Sequence, residues 1–122
     1  QLARLPQTNA RRRAICALYD AGLADLDWIE RPTLRPDVVS ARHNYVIRCD
    51  DRDGLAEWLR RHKIATGMHY IPNHLHAVYR PYAASLPVTE REWTRLLTLP
   101  LYPALTDDEA AYIIEVIRRY HA

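Results

Sequence analysis

The stretch RHNYVIRCDDRDGLAEWLRRH, residues 42–62, leaves the backbone little choice. His43, Tyr45, Ile47 and Cys49 alternate with Asn44, Val46 and Arg48, and a period of two sends each set to its own side of a strand. The first set predicts the inward face. Asp50 or Asp51 then offers a carboxylate to the free N–H groups of a helix running to about His62. In that helix Leu55, Trp58 and Leu59 form the buried stripe and arginines cover the rest, while Gly54 weakens the first turn without forbidding it. A strand feeding straight into an amphipathic helix must bury one side of each, which calls for helices layered on a sheet.

The remaining segments extend this pattern. Ala14, Ile15, Leu18 and Ala21 recur at helical spacing and predict a helix from about Thr8 to Gly22, capped by Thr8 or Asn9 and ended by the glycine. Pro6 fits either a kink or a start near Gln7. Trp28 to Glu30 and IATGMHY, residues 64–70, are short strand candidates, the second closed by Pro72. Thr89 with Glu92 and Thr106 with Glu109 have capping-box spacing, so a helix is expected from each. The first should turn Trp93, Leu96 and Leu97 to the core; the second should present Ala110, Ile113, Ile114, Ile117 and Tyr120. LTLPLYPAL, residues 97–105, is read as an extended connection between them. The expected architecture is one α+β domain over residues 1–122, a small, largely antiparallel sheet covered by helices.

Several function classes are excluded or weakened by simple counts. Three glycines rule out a phosphate cradle of the GxGxxG or Walker type. Seventeen basic residues against fifteen acidic ones, with no groove-reading motif, argue against a nucleic-acid partner. Arg11, Arg12 and Arg13 point around a helix and are expected on its solvated surface. No apolar run nears the roughly 18 residues of a membrane span, and QLARLPQTNARRR lacks the apolar block of a secretory signal, so a cytoplasmic protein is expected. Cys16 and Cys49 belong to no CxxC pair and are expected as buried free thiols. The chain opens inside a helical pattern without a methionine and reads as a piece of something longer.

Chemistry concentrates in TGMHYIPNHLHAVYR, residues 66–80, which holds three of the six histidines. His74 and His76 at i, i+2, with His69 as a third nitrogen, have the donor count of a catalytic zinc site. Pro72 interrupts the strand such a site would need, and no carboxylate stands out to orient the rings, so no metal is expected. No nucleophile-elbow pattern is present. Two readings remain open from the residues: hydrogen-bonded loop histidines with Tyr70, Tyr79 and Tyr82 packed beneath, or one wall of a pocket for a hydroxyl-rich ligand.

The order of these motifs resembles a known family. HNY before the strand, TGMHY, the following HLH, and LPLYPALTDDE near the end are similar to the C-terminal part of the DegT/DnrJ/EryC1/StrS sugar aminotransferases. Within them the nearest likeness is to enzymes that aminate a 4-keto nucleotide sugar. The resemblance runs over nearly the whole chain, with residues 1–24 matching the long helix that leads into the small domain and 25–122 that domain itself.

This resemblance implies the C-terminal small domain of the aspartate-aminotransferase (fold-type I) architecture. It further implies pyridoxal phosphate in the intact enzyme, glutamate and a nucleotide sugar as substrates, a large coenzyme-binding domain, and a homodimer with active sites at the subunit interface. In such enzymes a lysine forms the aldimine and an aspartate pairs with the pyridine nitrogen. Lys63, the single lysine among the basic residues, matches a position between helix and strand rather than the coenzyme lysine. The chain is therefore expected to lack catalytic and coenzyme-binding residues and to be inactive alone. His69 and Tyr70 match the family's HY pair entering the active-site cleft, His74 the next histidine beside the sugar pocket, and His76 a position that varies. Asn73 stands where leucine is common, which bears on loop shape, while His43 and Tyr45 match the strand motif. The competing reading is a non-catalytic interaction module derived from the family, and a large uncovered apolar surface would separate the two.

Overall fold

A computed structural model describes residues 2–121. A single 3-10 turn, Leu2–Arg4, precedes helix α1, Leu5–Gly22. Strand β1, Tyr45–Arg48, leads into helix α2, Arg52–Arg61. Two further 3-10 turns, Asn73–Leu75 and Ala77–Tyr82, carry the histidine segment to helix α3, Pro87–Arg95. Strand β2, Leu96–Leu99, and helix α4, Asp107–Arg118, complete the order.

The two strands pair antiparallel, with Tyr45 opposite Leu99 and Arg48 opposite Leu96. Each has a single-bridge neighbour on its outer edge, Glu30 beside Arg48 and Gly67 beside Thr98. The expected strands at 28–30 and 64–70 are thus reduced to one paired residue each, bounded by prolines at 32 and 72 that cannot donate to a longer ladder. The helices cover this sheet, and the α+β class stands. Ile15, Cys16, Tyr19 and Leu23 meet Tyr45, Ile47 and Cys49, Leu55 and Leu59, Leu97 and Leu99, and Ala110, Ile113, Val116 and Ile117 in one core. Both cysteines are free and buried, and burial pushes each thiol up to about 11, which makes them poor nucleophiles.

Several local expectations need correction. Helix α1 starts at Leu5, because Pro6 falls in the first turn where its missing N–H costs nothing. Its packed side is Ile15, Cys16 and Tyr19, leaving Ala14, Leu18 and Ala21 exposed. Gly22 has no positive φ; its role is close approach, since an added Cβ would lie 2.7 Å from Ile114 on α4. Arg11 is not simply solvated: it donates to Asp107 at 2.6 Å and to the Leu105 carbonyl, tying α1 to the start of α4. His43 is exposed, since Arg42 at φ 49 takes the chain out of strand geometry before β1 begins. On α2 the arginines do not all face water; Arg52 is buried.

The box at Thr106 and Glu109 forms as expected, with both reciprocal bonds present. The one at Thr89 and Glu92 does not. Pro87 fixes the start of α3 two residues earlier, so Thr89 lies inside the first turn and Glu92 pairs with Arg48 and Arg91. Glu90 instead accepts from the free Leu86 N–H at 3.0 Å. Leu96 and Leu97 belong to β2 rather than α3, because the chain leaves the helix at Arg95 to pair with β1.

Candidate functional site

The histidine segment hangs from the edge of the sheet. Gly67 and Thr98 exchange backbone bonds, Gly67 N–H to the Thr98 carbonyl at 3.0 Å and Thr98 N–H to the Gly67 carbonyl at 2.8 Å. Two residues on, His69 Nδ1 lies 2.8 Å from the Thr98 hydroxyl. Its ring also meets Tyr70 edge-on, with centroids 4.8 Å apart. Gly67 makes this possible: a Cβ there would sit 2.5 Å from His69 Cε1. His69 is thereby fixed to β2 through one nitrogen.

His74 is held from the other direction. Its Nε2 lies 3.0 Å from the Glu90 carboxylate, which also caps α3, and the imidazole is only 11% exposed. The Leu86 N–H, followed by His74, holds Glu90 below the usual carboxylate range. His76 lies exposed between the two 3-10 turns, and its ring makes no hydrogen bond among the described residues. Tyr70, which touches His69 edge-on, is 76% exposed and Tyr82 83%, so neither of these two packs beneath the histidines.

These placements separate the expected site residues. His69 and Tyr70 are in contact, His74 is anchored to α3, and His76 stands apart. The 3-10 turn Asn73–Leu75 removes the shared strand face that His74 and His76 would have needed to act as paired ligands. Among the described residues no three His, Cys, Asp or Glu side chains converge as a metal cage requires. Sequence reasoning missed Glu90 and Thr98. The carboxylate that orients His74 lies outside the cluster, on α3, sixteen residues away in sequence. Thr98 did carry a signal: a hydroxyl between leucines in a buried strand must find a partner.

The hollow beside Lys63 does not fit pyridoxal phosphate. Lys63 follows α2 at φ 63 and lines a hollow of about 520 Å3 with Ile64, Pro100, Tyr102, Leu105 and Tyr112. Glu109, the carboxylate in that lining, is committed to the Thr106 N–H at 2.8 Å and is unfit to pair a pyridine nitrogen. The adjoining first turn of α4 carries Asp107, Asp108 and Glu109, which repel a phosphate where a bare helix N-terminus would attract one.

Comparison with known proteins agrees with the expected kinship. The chain is 36% identical to a dTDP-3-amino-3,4,6-trideoxy-alpha-D-glucose transaminase of Streptomyces venezuelae over 98% of its own length and 33% of that protein's. It superposes on the aminotransferase TlmJ from Streptoalloteichus hindustanus with a TM-score of 0.93 and 36% identity, covering 98% of this chain and 33% of that one. S. venezuelae DesV, solved in complex with a ketimine intermediate, gives a TM-score of 0.91 at 33% identity over 98% and 33%. The chain thus spans about a third of the length of these relatives. The Streptomyces enzyme's name places its amino group at position 3, so that relative lends no support to a preference for 4-keto sugars. No helix among the described residues is long and apolar enough to cross a membrane. Residues 1–118 match the sequence profile of the DegT/DnrJ/EryC1/StrS aminotransferase family, and the chain belongs to that family.

Proposed function

We propose that this chain is the C-terminal small domain of a pyridoxal-phosphate-dependent aminotransferase that moves an amino group from glutamate to a keto nucleotide sugar. A large domain supplies the lysine, the aspartate and the phosphate site that the present residues lack, and the active enzyme is a homodimer. His69, Tyr70 and His74 contribute the sugar-side wall, with His76 at its rim.

One observation carries this reading. From Met68 to Val88 the chain exposes Met68, Tyr70, Ile71, Leu75, Val78, Tyr79, Tyr82, Leu86 and Val88, and no residue of that segment is buried. A stand-alone module would cover such a surface with charge; a domain that docks on another leaves it apolar. His69 and His74 lie within the same segment, each tied down by one nitrogen, as side chains that orient a polar ligand at a domain boundary would be.

The test is made in the intact enzyme. His69→Ala and His74→Ala should each lower kcat/KM for the nucleotide sugar by about tenfold, the scale of one lost polar contact, with the coenzyme absorbance unchanged. Loss of the coenzyme spectrum in either variant would contradict the assignment. Borohydride reduction of the 122-residue chain mixed with pyridoxal phosphate should leave no stoichiometric adduct on Lys63.

A further inference from the structure

Thr98 is 7% exposed, and its hydroxyl has one recorded partner, His69 Nδ1 at 2.8 Å. Both a hydroxyl and a neutral imidazole nitrogen can donate or accept, so the pair has two arrangements. If Nδ1 carried the proton and donated, the buried hydroxyl hydrogen would be left without an acceptor among the described residues. If the hydroxyl donates, both groups are satisfied and the ring proton must sit on Nε2. Gly67 sets the ring's position in the same contact, because a side chain there would displace its Cε1 edge.

We propose that Thr98 is the positioning residue of the histidine site: its hydroxyl donates to His69 Nδ1, which fixes the Nε2–H tautomer and presents that N–H to an oxygen of the sugar nucleotide. This rests on the reading of His69 as a sugar-side residue, and it adds a polarity to that reading. The ring acts as a donor, suited to a sugar hydroxyl or a phosphate oxygen. Backbone pairing between Gly67 and Thr98 holds the donor and the imidazole in register, so the tautomer is built into the sheet edge.

Long-range 1H–15N correlation spectra of the 15N-labelled 122-residue chain, above the pH at which the ring is neutral, report the tautomer directly. The wild type should show Nε2–H at His69. Thr98→Val, which keeps the branched shape, should give a tautomer mixture, and Thr98→Ser should restore the single form. Gly67→Ala should move the His69 ring resonances while leaving the hydroxyl in place. An Nδ1–H form in the wild type, or an unchanged tautomer in Thr98→Val, overturns the proposal. Dispersed amide spectra of the valine variant exclude misfolding as the cause. In the intact enzyme Thr98→Val should raise the KM for the nucleotide sugar several-fold, and Thr98→Ser should restore it. If the tautomer pattern is found and Thr98→Val leaves the KM of the intact enzyme for the nucleotide sugar unchanged, the sugar-side reading fails while the hydroxyl–imidazole arrangement stands.

Discussion

Lys63 shows how a single residue can sit against its own preferences. It follows α2 with φ 63, and the hydrogen bonds from Lys63 N–H to the Arg60 carbonyl and from Ile64 N–H to the Leu59 carbonyl close the helix in the pattern that glycine ordinarily serves. A β-carbon in that left-handed position is crowded by the following carbonyl. Lys63→Gly should therefore stabilise the chain by about 0.5–1 kcal/mol, seen as a higher urea midpoint at unchanged slope. Asp25 makes a second case. Its bidentate contact with Arg118, at 2.6 and 2.8 Å, pulls the carboxyl from 3.8 to about 2, and the Arg60 and Arg61 guanidiniums do the same for Glu57. A lowered folded-state value means stability that is present above the unfolded value and lost as pH falls toward 2. Urea midpoints should decline between pH 4 and 2, and Asp25→Asn should remove its share of that slope.

At the scale of elements, Arg52 joins pieces that the sequence reading kept apart. Its guanidinium lies 5.0 Å from the centre of the Trp93 ring and donates, at 3.5 and 3.4 Å, to the Trp93 and Leu96 carbonyls where α3 gives way to β2. A cation at a helix C-terminus complements the dipole, and here it also covers carbonyls that have left the helix ladder. Arg52→Ala should destabilise by about 2 kcal/mol in urea denaturation, and Arg52→Lys should recover only part, because a point charge cannot reproduce the planar fork. Strand β1, α2 and the Thr106–Glu109 start of α4 were legible because periodicity, caps and apolar stripes agree there. The α3–β2 junction was not. VTEREW offered a capping box at the right spacing, but Pro87 starts the helix two residues earlier, and the pairing of Leu96 with Arg48, a partner 48 residues away, ends it. The same applies to the site: the histidines were visible in the sequence, but Thr98 and Glu90 reach them from 29 and 16 residues away.

At the scale of the whole molecule, the core and the histidine segment are built on different terms. Residues of α1, β1, α2, β2 and α4 fill one apolar interior, whereas the chain from Met68 to Val88 contributes nothing to it. In isolation that surface should drive association. Sedimentation of the 122-residue chain should show dimers or larger species at micromolar concentration, and Val78→Ser combined with Tyr82→Ser, at two of its most exposed positions, should shift the population toward monomer. Unchanged sedimentation would place the contact elsewhere, with the uncovered Leu5 and Leu18 on α1 as the next surface to alter. The near-complete use of arginine over lysine has a practical corollary. A protease that cuts only after lysine finds one bond, Lys63–Ile64, and Ile64 is 6% exposed with its N–H bonded to Leu59. Digestion by such an enzyme reads the opening of that one junction, and nicking there would part the β1–α2 half from the half that carries the histidines.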